Sequence, residues 1–599
     1  MKLNNIIFGL FACLSTVLFA QNNPLAKIGD IEINTSEFLE RYELSPILGK
    51  LNIADDKGSK YSLLYSMIGE KLWSLEAQKN GIDTFQAVKA PMEIIEKLYI
   101  RDALYKKLIL SQINITNEEI AQGAAKFMRK LKLKYIFSDN EADIKNKYYL
   151  LKSGYSFDSL YNVSVALNNE REVTYGELEE NVEETVYNLT PKTFSNPLFY
   201  NKGWYIFYLT GENVQTFSDF QGKNNLPEKI KKIIHDRKAS KLTDSFYKSY
   251  FKNIKAESNK ALIDITAKEI LNIIKDKKAS KDSTGYFFNL TFDEGLYLQK
   301  LLTQVNLAKP FVKINKQIIP LQKFINDLVF FGFRVGENNL ESIQIKINQR
   351  AKQFIEYEVL ADEGKKQGLN LDAEVIRQVQ MWKDNYLFQV YRNKFVYDNY
   401  LAIKDSIINN NSDTWNIRNV YKIIEIEFTD LNLAEKIFDD LLYMNYNTFI
   451  SKYSAKASIN IKDVNLSTAD ANEINFVSIL PNMQIGEIYG PNKIGESYTI
   501  IKLIETKTDT VNNPSKKVDI INQTAQNKAG QLVSAKTVEF AKNYGFTVNE
   551  ELLKSLKVTE INSYIIKIFG FGGRTGAVPL LLPFYNWVEI YNNTKKDNL

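Results

Sequence analysis

An internal repeat constrains this chain more than any other feature, because a duplicated unit must find its fold twice. Residues 24–39 read PLAKIGDIEINTSEFL and residues 310–325 read PFVKINKQIIPLQKFI. Pro24/Pro310, Lys27/Lys313, Ile28/Ile314, Ile33/Ile319 and Phe38/Phe324 superpose at one offset of 286 residues. Each stretch carries the pattern of a short strand, a turn (Gly29-Asp30 and Asn315-Lys316), a second strand and a helix start, with Thr35 expected as the first helix's N-cap. The next blocks repeat as well. IGEKLWSLEAQKNGID (68–83) and IEYEVLADEGKKQGLN (355–370) align Glu76 with Glu363 and Gly81 with Gly368. Each predicts an amphipathic helix closed by a glycine in the left-handed conformation. Long helices are then expected over 85–111 and 372–405. Phe85, Val88, Met92, Ile95 and Tyr99, and Val375, Val379, Trp382 and Tyr386, fall at helical spacing and read as core stripes.

A mixed region follows in both copies. KLKLKYIF (130–137) alternates like a strand, and EADIKNKYYLLKSGYSFDSLYNVS after it reads as helical. VYNLTPKTFSNPLFYNKGWYIFYLTG (186–211) predicts turn, strand, turn, strand, and VSILPNMQIGEIYGPNKIGESYTIIKLIE (477–505) is its counterpart, with Pro197 and Pro491 aligned. Basic helical segments over 226–254 and 516–546 close the two copies. The tail from Gly570 has no counterpart. Its glycines do not form G-x-G-x-x-G, and Pro579 and Pro583 block a following helix, so no helix N-terminus is expected to receive a phosphate there. A glycine turn and an apolar strand-like segment, Val578 to Ile590, docked on the body, are expected instead.

Composition narrows the function classes. At roughly 100–200 residues per domain, 599 residues suggest about four domains. The 76 basic and 71 acidic residues are interleaved, so no nucleic-acid partner is expected. Lys2 followed by the uncharged run Ile6–Ala20 reads as a secretory signal cleaved after Ala20, too short for an ordinary membrane span. An uncleaved anchor facing the periplasm is the alternative. Leu10-Phe11-Ala12-Cys13 is lipobox-like, although Phe11 fits that motif poorly. Cys13 is the only cysteine, so the mature chain is expected to have no disulfide and no thiolate metal site. No further membrane span, no metal and no cofactor are expected. Glu179, Glu180, Glu183 and Glu184 read as a solvated helix face.

The opening block resembles the N-terminal domain of SurA-type periplasmic chaperones, a strand-turn-strand followed by long helices, with KLWSLEAQKNGI similar to that domain's L-x-x-E-A-x-x-x-G helix end. The mixed block resembles parvulin (PpiC-type) peptidyl-prolyl isomerases in its first strand, in Gly154 and Phe157, and in its closing hairpin. The resemblance covers roughly residues 24–255 and 308–550. It implies an α+β protein of two tandem units, degenerate and duplicated in the manner of SurA and PpiD. The implied boundaries are a signal at 1–20, SurA-N-like helical domains at 21–115 and 306–405, and parvulin-like domains at 116–215 and 406–510. Returning helices occupy 216–305 and 511–569, and the Gly/Pro tail 570–599.

Parvulins place two facing histidines in the active site. The matching positions here hold Tyr135 and Tyr205 in the first copy and Thr499 in the second, the other second-copy position falling near Glu425 or Glu427. Val182 stands near the aromatic of the family's proline pocket. The chain contains one histidine, His235, so a two-histidine site cannot form in either copy. A lone helical histidine beside Asp236 and Arg237 reads as solvated or structural. The resemblance therefore implies a periplasmic chaperone for unfolded exported chains, outer-membrane proteins among them, that binds at Tyr135, Val182 and Tyr205 without catalysis. An active prolyl isomerase with an altered pocket and a structural subunit of an envelope complex are the alternatives.

Overall fold

The computed structural model describes residues 24–45, 57–160, 170–215, 226–409, 417–465, 479–494, 497–510, 517–558 and 565–596. The signal segment and Cys13 lie outside them. The fold is mixed α+β. No described helix is long and apolar enough to cross a membrane.

In the first copy, strands β1 (Ala26–Ile28) and β2 (Ile31–Ile33) form a hairpin that leads into α1 (Thr35–Leu44), α2 (Lys57–Lys79) and α3 (Gln86–Leu108). Asn34, not Thr35, caps α1, its side chain accepting from the Glu37 N–H; the helix already begins at Thr35, so the cap position falls on the residue before it. Helix α4 (Asn117–Phe127) opens with a capping box between Thr116 and Glu119. Then come β3 (Arg129–Ser138), α5 (Glu141–Lys152), β4 (Arg171–Val173), α6 (Glu180–Tyr187), β5 (Thr193–Phe194), β6 (Leu198–Tyr200), β7 (Gly203–Val214), α7 (Leu226–Tyr250) and β8 (Ala256–Ser258).

Helix α8 (Lys260–Ile274) leads toward the second copy: β9 (Pro310–Ile314), β10 (Gln317–Pro320), α9 (Leu321–Phe331), α10 (Leu340–Lys366) and α11 (Ala373–Asn409). A four-stranded antiparallel sheet follows, built from β11 (Ile417–Phe428), β12 (Ser458–Asn465), β13 (Ile488–Ile494) and β14 (Ser497–Thr510) in the order β12-β11-β14-β13. Then come α12 (Lys517–Tyr544) and β15 (Phe546–Val548). Gly81 and Gly368 both take positive φ, 70° and 75°, one residue beyond the turn that ends α2 and α10.

The two copies exchange their closing strands. β15, from the end of the second copy, pairs antiparallel with β1, and β8, from the end of the first, pairs antiparallel with β9. Neither hairpin is closed by the strand of its own copy.

The chain divides into two compact units. One holds Met1–Arg101, Asn259–Phe311 and Ile319–Leu599; the other holds Asp102–Ser258 and Val312–Ile318. In the larger unit, α2, α11 and α12 pack around Trp73, whose ring meets Tyr391, Phe395 and Phe540 edge-on at 5.1–5.5 Å and whose indole N–H donates to Thr537 Oγ1 at 2.8 Å. Helices of both copies thus share one core. Helices α3 and α10 cross at Gly364, where a Cβ would stand 2.4 Å from the Ile100 side chain, so close packing requires the glycine. Phe85, placed by its spacing on the α3 core stripe, is 42% exposed.

An ionic network lies inside the same core. Arg41 bonds Glu70 through both terminal nitrogens and the Pro579 carbonyl at 3.2 Å. Lys71 bridges Glu37 at 2.9 Å and Asp384 at 2.7 Å, and Ser74 and Gln380 also donate to Asp384. Asn385 donates to Glu70 and to the Leu580 carbonyl. Burial disfavours the Lys71 and Arg41 charges, but the surrounding carboxylates outweigh it and hold both pKa values above the ordinary range.

The tail docks here. A hairpin of β16 (Ile566–Ile568), just before the tail, and β17 (Arg574–Gly576), within it, comes first. Val578–Ile590 is not a strand: 579–585 is irregular and α13 (Trp587–Lys596) follows, because Pro579 and Pro583 delay the helix rather than abolish it. Trp587 is fully buried, and the Phe584 N–H donates to Ser66.

Candidate functional site

The smaller unit contains a five-stranded sheet in which β3 and β7 pair along their whole length, Tyr135 opposite Phe207 and Phe137 opposite Tyr205. Side chains alternate across a strand, so Leu131, Leu133, Tyr135 and Phe137 share one face with Tyr205, Phe207 and Leu209. Helix α6 and its neighbours cover the aliphatic end of that face: Leu131, Leu133, Val182, Val186 and Leu209 form a closed core. The opposite face is sealed by α5 over Ile136, Ile144, Leu151 and Ile206. The aromatic end of the first face is left partly open.

There the Tyr135 and Tyr205 rings lie 5.5 Å apart, Phe137 and Tyr205 5.1 Å, and Tyr200 and Tyr205 5.6 Å. Tyr205 stacks on Phe207 at 5.7 Å with 8° between planes. Phe137 is 41% exposed, and Tyr135, Tyr200 and Tyr205 are half-buried. Burial, with Tyr135 and Tyr200 adding to it, raises the Tyr205 pKa above the usual phenol value. These are apolar rings with phenol hydroxyls at their edges.

The structure therefore brings Tyr135 and Tyr205 together. Val182 does not join them; it lies on α6, is fully buried against the sheet and offers no surface. Phe137 and Tyr200 belong to the open face and were not among the expected residues, although the alternation of KYIF puts positions 135 and 137 on one side. His235 lies on α7, with its side chain 41% exposed and Nδ1 3.3 Å from Asp236. Glu183 is the exception in the acidic cluster: it is fully buried, bonded to the Gly176 N–H at 2.6 Å and to Arg237 at 2.8 Å. Arg237 arrives from α7, far along the chain, and so Glu183 is not part of a solvated face.

In the second copy, Thr499 lies opposite Glu427 on β11 and is 1% exposed. Glu425 pairs with Lys462 at 3.0 Å. The equivalent face holds the aliphatic cluster of Ile423, Ile501 and Leu503 with Tyr421, and the partly buried Tyr489 packs against it.

No protein-family model matches the chain, and no curated protein matches it. Among solved structures, it is similar to the peptidylprolyl isomerase PrsA of Bacillus cereus, at 20% identity over 30% of this chain and 81% of that one, with a TM-score of 0.18. PrsA of Bacillus anthracis aligns at 17% identity over 31% of this chain and 97% of that one, with a TM-score of 0.18. A SurA-like chaperone of Campylobacter jejuni aligns at 18% identity over 36% of this chain and 86% of that one, with a TM-score of 0.15.

Proposed function

We propose that the chain is a periplasmic folding chaperone that holds unfolded exported proteins, outer-membrane β-barrels among them, and does not catalyse prolyl isomerisation. The observation that carries this reading is the open aromatic face of Tyr135, Phe137, Tyr200 and Tyr205, which stands where the parvulin resemblance would place facing histidines.

The chemistry of that face is contact. Large aromatic rings bury roughly 150–250 Å² each. Phe137 is 41% exposed and the three tyrosines less, so covering their open parts removes about 250 Å² from water, worth about 6 kcal/mol at 25 cal/mol per Å². Association and ordering costs of similar size oppose this, so binding is weak and reversible, as a holding chaperone requires. Imide rotation has a barrier of roughly 20 kcal/mol, and these four residues include no histidine or carboxylate for acid–base catalysis.

The test runs two assays on one preparation of the full chain. The chain should delay aggregation of an outer-membrane β-barrel protein diluted from urea, and should leave a proline-peptide isomerisation at its uncatalysed rate. Clear turnover would mean that a histidine-free site works as an isomerase. A single stoichiometric partner in pull-downs, with no effect on aggregation, would favour a structural subunit.

A further inference from the structure

A second site lies in the larger unit. A cavity of about 590 Å³ is bounded by α11, by the segment 479–489 beside the second sheet and by the irregular tail 580–586. That size is within the roughly 300–1,000 Å³ of clefts that take small ligands or chain ends.

Its charged feature is Arg392 on α11. The guanidinium lies beside a pair of rings, 6.0 Å from the Phe388 centroid and 5.8 Å from that of Phe584, the two rings being 5.5 Å from each other. Its Nε is out of contact with solvent, and Arg392 has no hydrogen-bond or ion-pair partner among the described residues. Burial alone lowers its pKa from the ordinary arginine value; no carboxylate offsets it. The cavity's one acidic residue, Glu487, accepts from the Gln484 N–H at 2.8 Å and does not pair with Arg392. This contrasts with Arg41 in the same unit, whose buried charge is matched by Glu70. A half-buried, unmatched cation is costly, and an anion entering the cavity would recover that cost.

The rest of the lining selects the anion. Leu580, Leu582, Pro583, Met483 and Ile479 form an apolar part of the wall, beside Gln389, Asn393 and Asn586. The backbone N–H and C=O groups of Leu581 and Leu582 make no hydrogen bond within the described residues, and this stretch is neither helix nor strand. Free main-chain groups beside an apolar wall suit an extended peptide backbone, and a lone guanidinium suits the carboxylate at its end.

We propose that this cavity captures the C-terminal carboxylate of an extended polypeptide whose last residues are apolar, with Arg392 binding the carboxylate and the 580–585 segment lying along the peptide backbone. The site extends the chaperone reading, on which its choice of occupant rests, but it shares no residue with the aromatic face.

The test uses two fluorescein-labelled decapeptides of alternating threonine and apolar residues ending in phenylalanine, one with a free carboxylate and one amidated. Anisotropy is read against the full-length chain. The acid should bind at least tenfold tighter than the amide, and Arg392→Gln should abolish that difference while Arg392→Lys keeps part of it. The acid–amide comparison on the unmodified chain needs no variant to fold. Equal binding of the two peptides overturns the proposal, as does a preference that survives Arg392→Gln. Laurate is the third probe. If it binds in an Arg392-dependent way while the peptides do not differ, the site takes small carboxylates and the proposal falls. Should the peptides fail but the chain still suppress aggregation, this site falls and the chaperone reading stands. Should the acid preference hold but aggregation proceed unaffected, the chaperone reading falls instead.

Discussion

Replacing Lys71 with methionine removes a charge but little volume, so its effect isolates the electrostatics of the buried network. Lys71 is 3% exposed in its side chain, and its partners Glu37 and Asp384 are 8% and 1% exposed. Lys71→Met leaves two carboxylates facing each other in the core, with Arg41 already committed to Glu70. Breaking a buried pair by removing one partner costs about 3–5 kcal/mol, and that is the loss expected here. Replacing Lys71 and Asp384 together, by methionine and leucine, removes charges of both signs and should recover most of it. Guanidinium unfolding followed by tryptophan fluorescence reads this directly, since Trp73 sits two residues from Lys71 in the same core. In the unmodified chain the raised Lys71 pKa means that the lysine's contribution to stability is fully present below the ordinary lysine range and is lost only as pH rises through the higher folded value. A single-variant loss under about 1 kcal/mol, or a double variant as unstable as the single one, would refute the reasoning.

Two further outcomes follow from single buried positions. Burial pushes Asp327 up to about 6, outweighing Arg350 at 3.0 Å. The folded state therefore holds a proton that the unfolded chain releases between pH 4 and 6, and stability should fall as pH rises through that window and level off above it. The change is about 3 kcal/mol at 1.36 kcal/mol per pH unit, and Asp327→Asn should flatten it in urea melts run from pH 4 to 8. Gly364→Ala should destabilise by about 1–3 kcal/mol through the clash with Ile100, although alanine is the better helix former by about 1 kcal/mol; a rise in the melting temperature would contradict the close α3–α10 crossing.

The sequence carried the order of elements because local signals wrote it: the hairpins, the glycines at 81 and 368, and the alternation of 130–137. The strand exchange was not legible, since β8 and β15 are short segments that suit either hairpin and only the packed body decides between them. Glu183 was read as solvated because its partner Arg237 lies on another helix, and only the fold brings the two together. The tail was misread for a related reason: two prolines in an apolar run suggest an extended segment, but burial of Trp587 against α2 and α12 supplies the energy that starts a helix after Pro583. In the candidate site, the two aligned tyrosines were legible and their neighbours Phe137 and Tyr200 were not, because exposure depends on where α6 stops covering the sheet. Arg392 left no signal, as an arginine on a long helix reads as solvated until its surroundings are known.

The most direct test of the central claim compares the unmodified chain with the double variant Tyr135→Ser/Tyr205→Ser in suppressing the aggregation of an unfolded outer-membrane protein, followed by light scattering. The unmodified chain should suppress scattering, and the variant, still folded by circular dichroism, should lose most of that effect. Equal suppression by both chains would show that the aromatic face is not where clients are held.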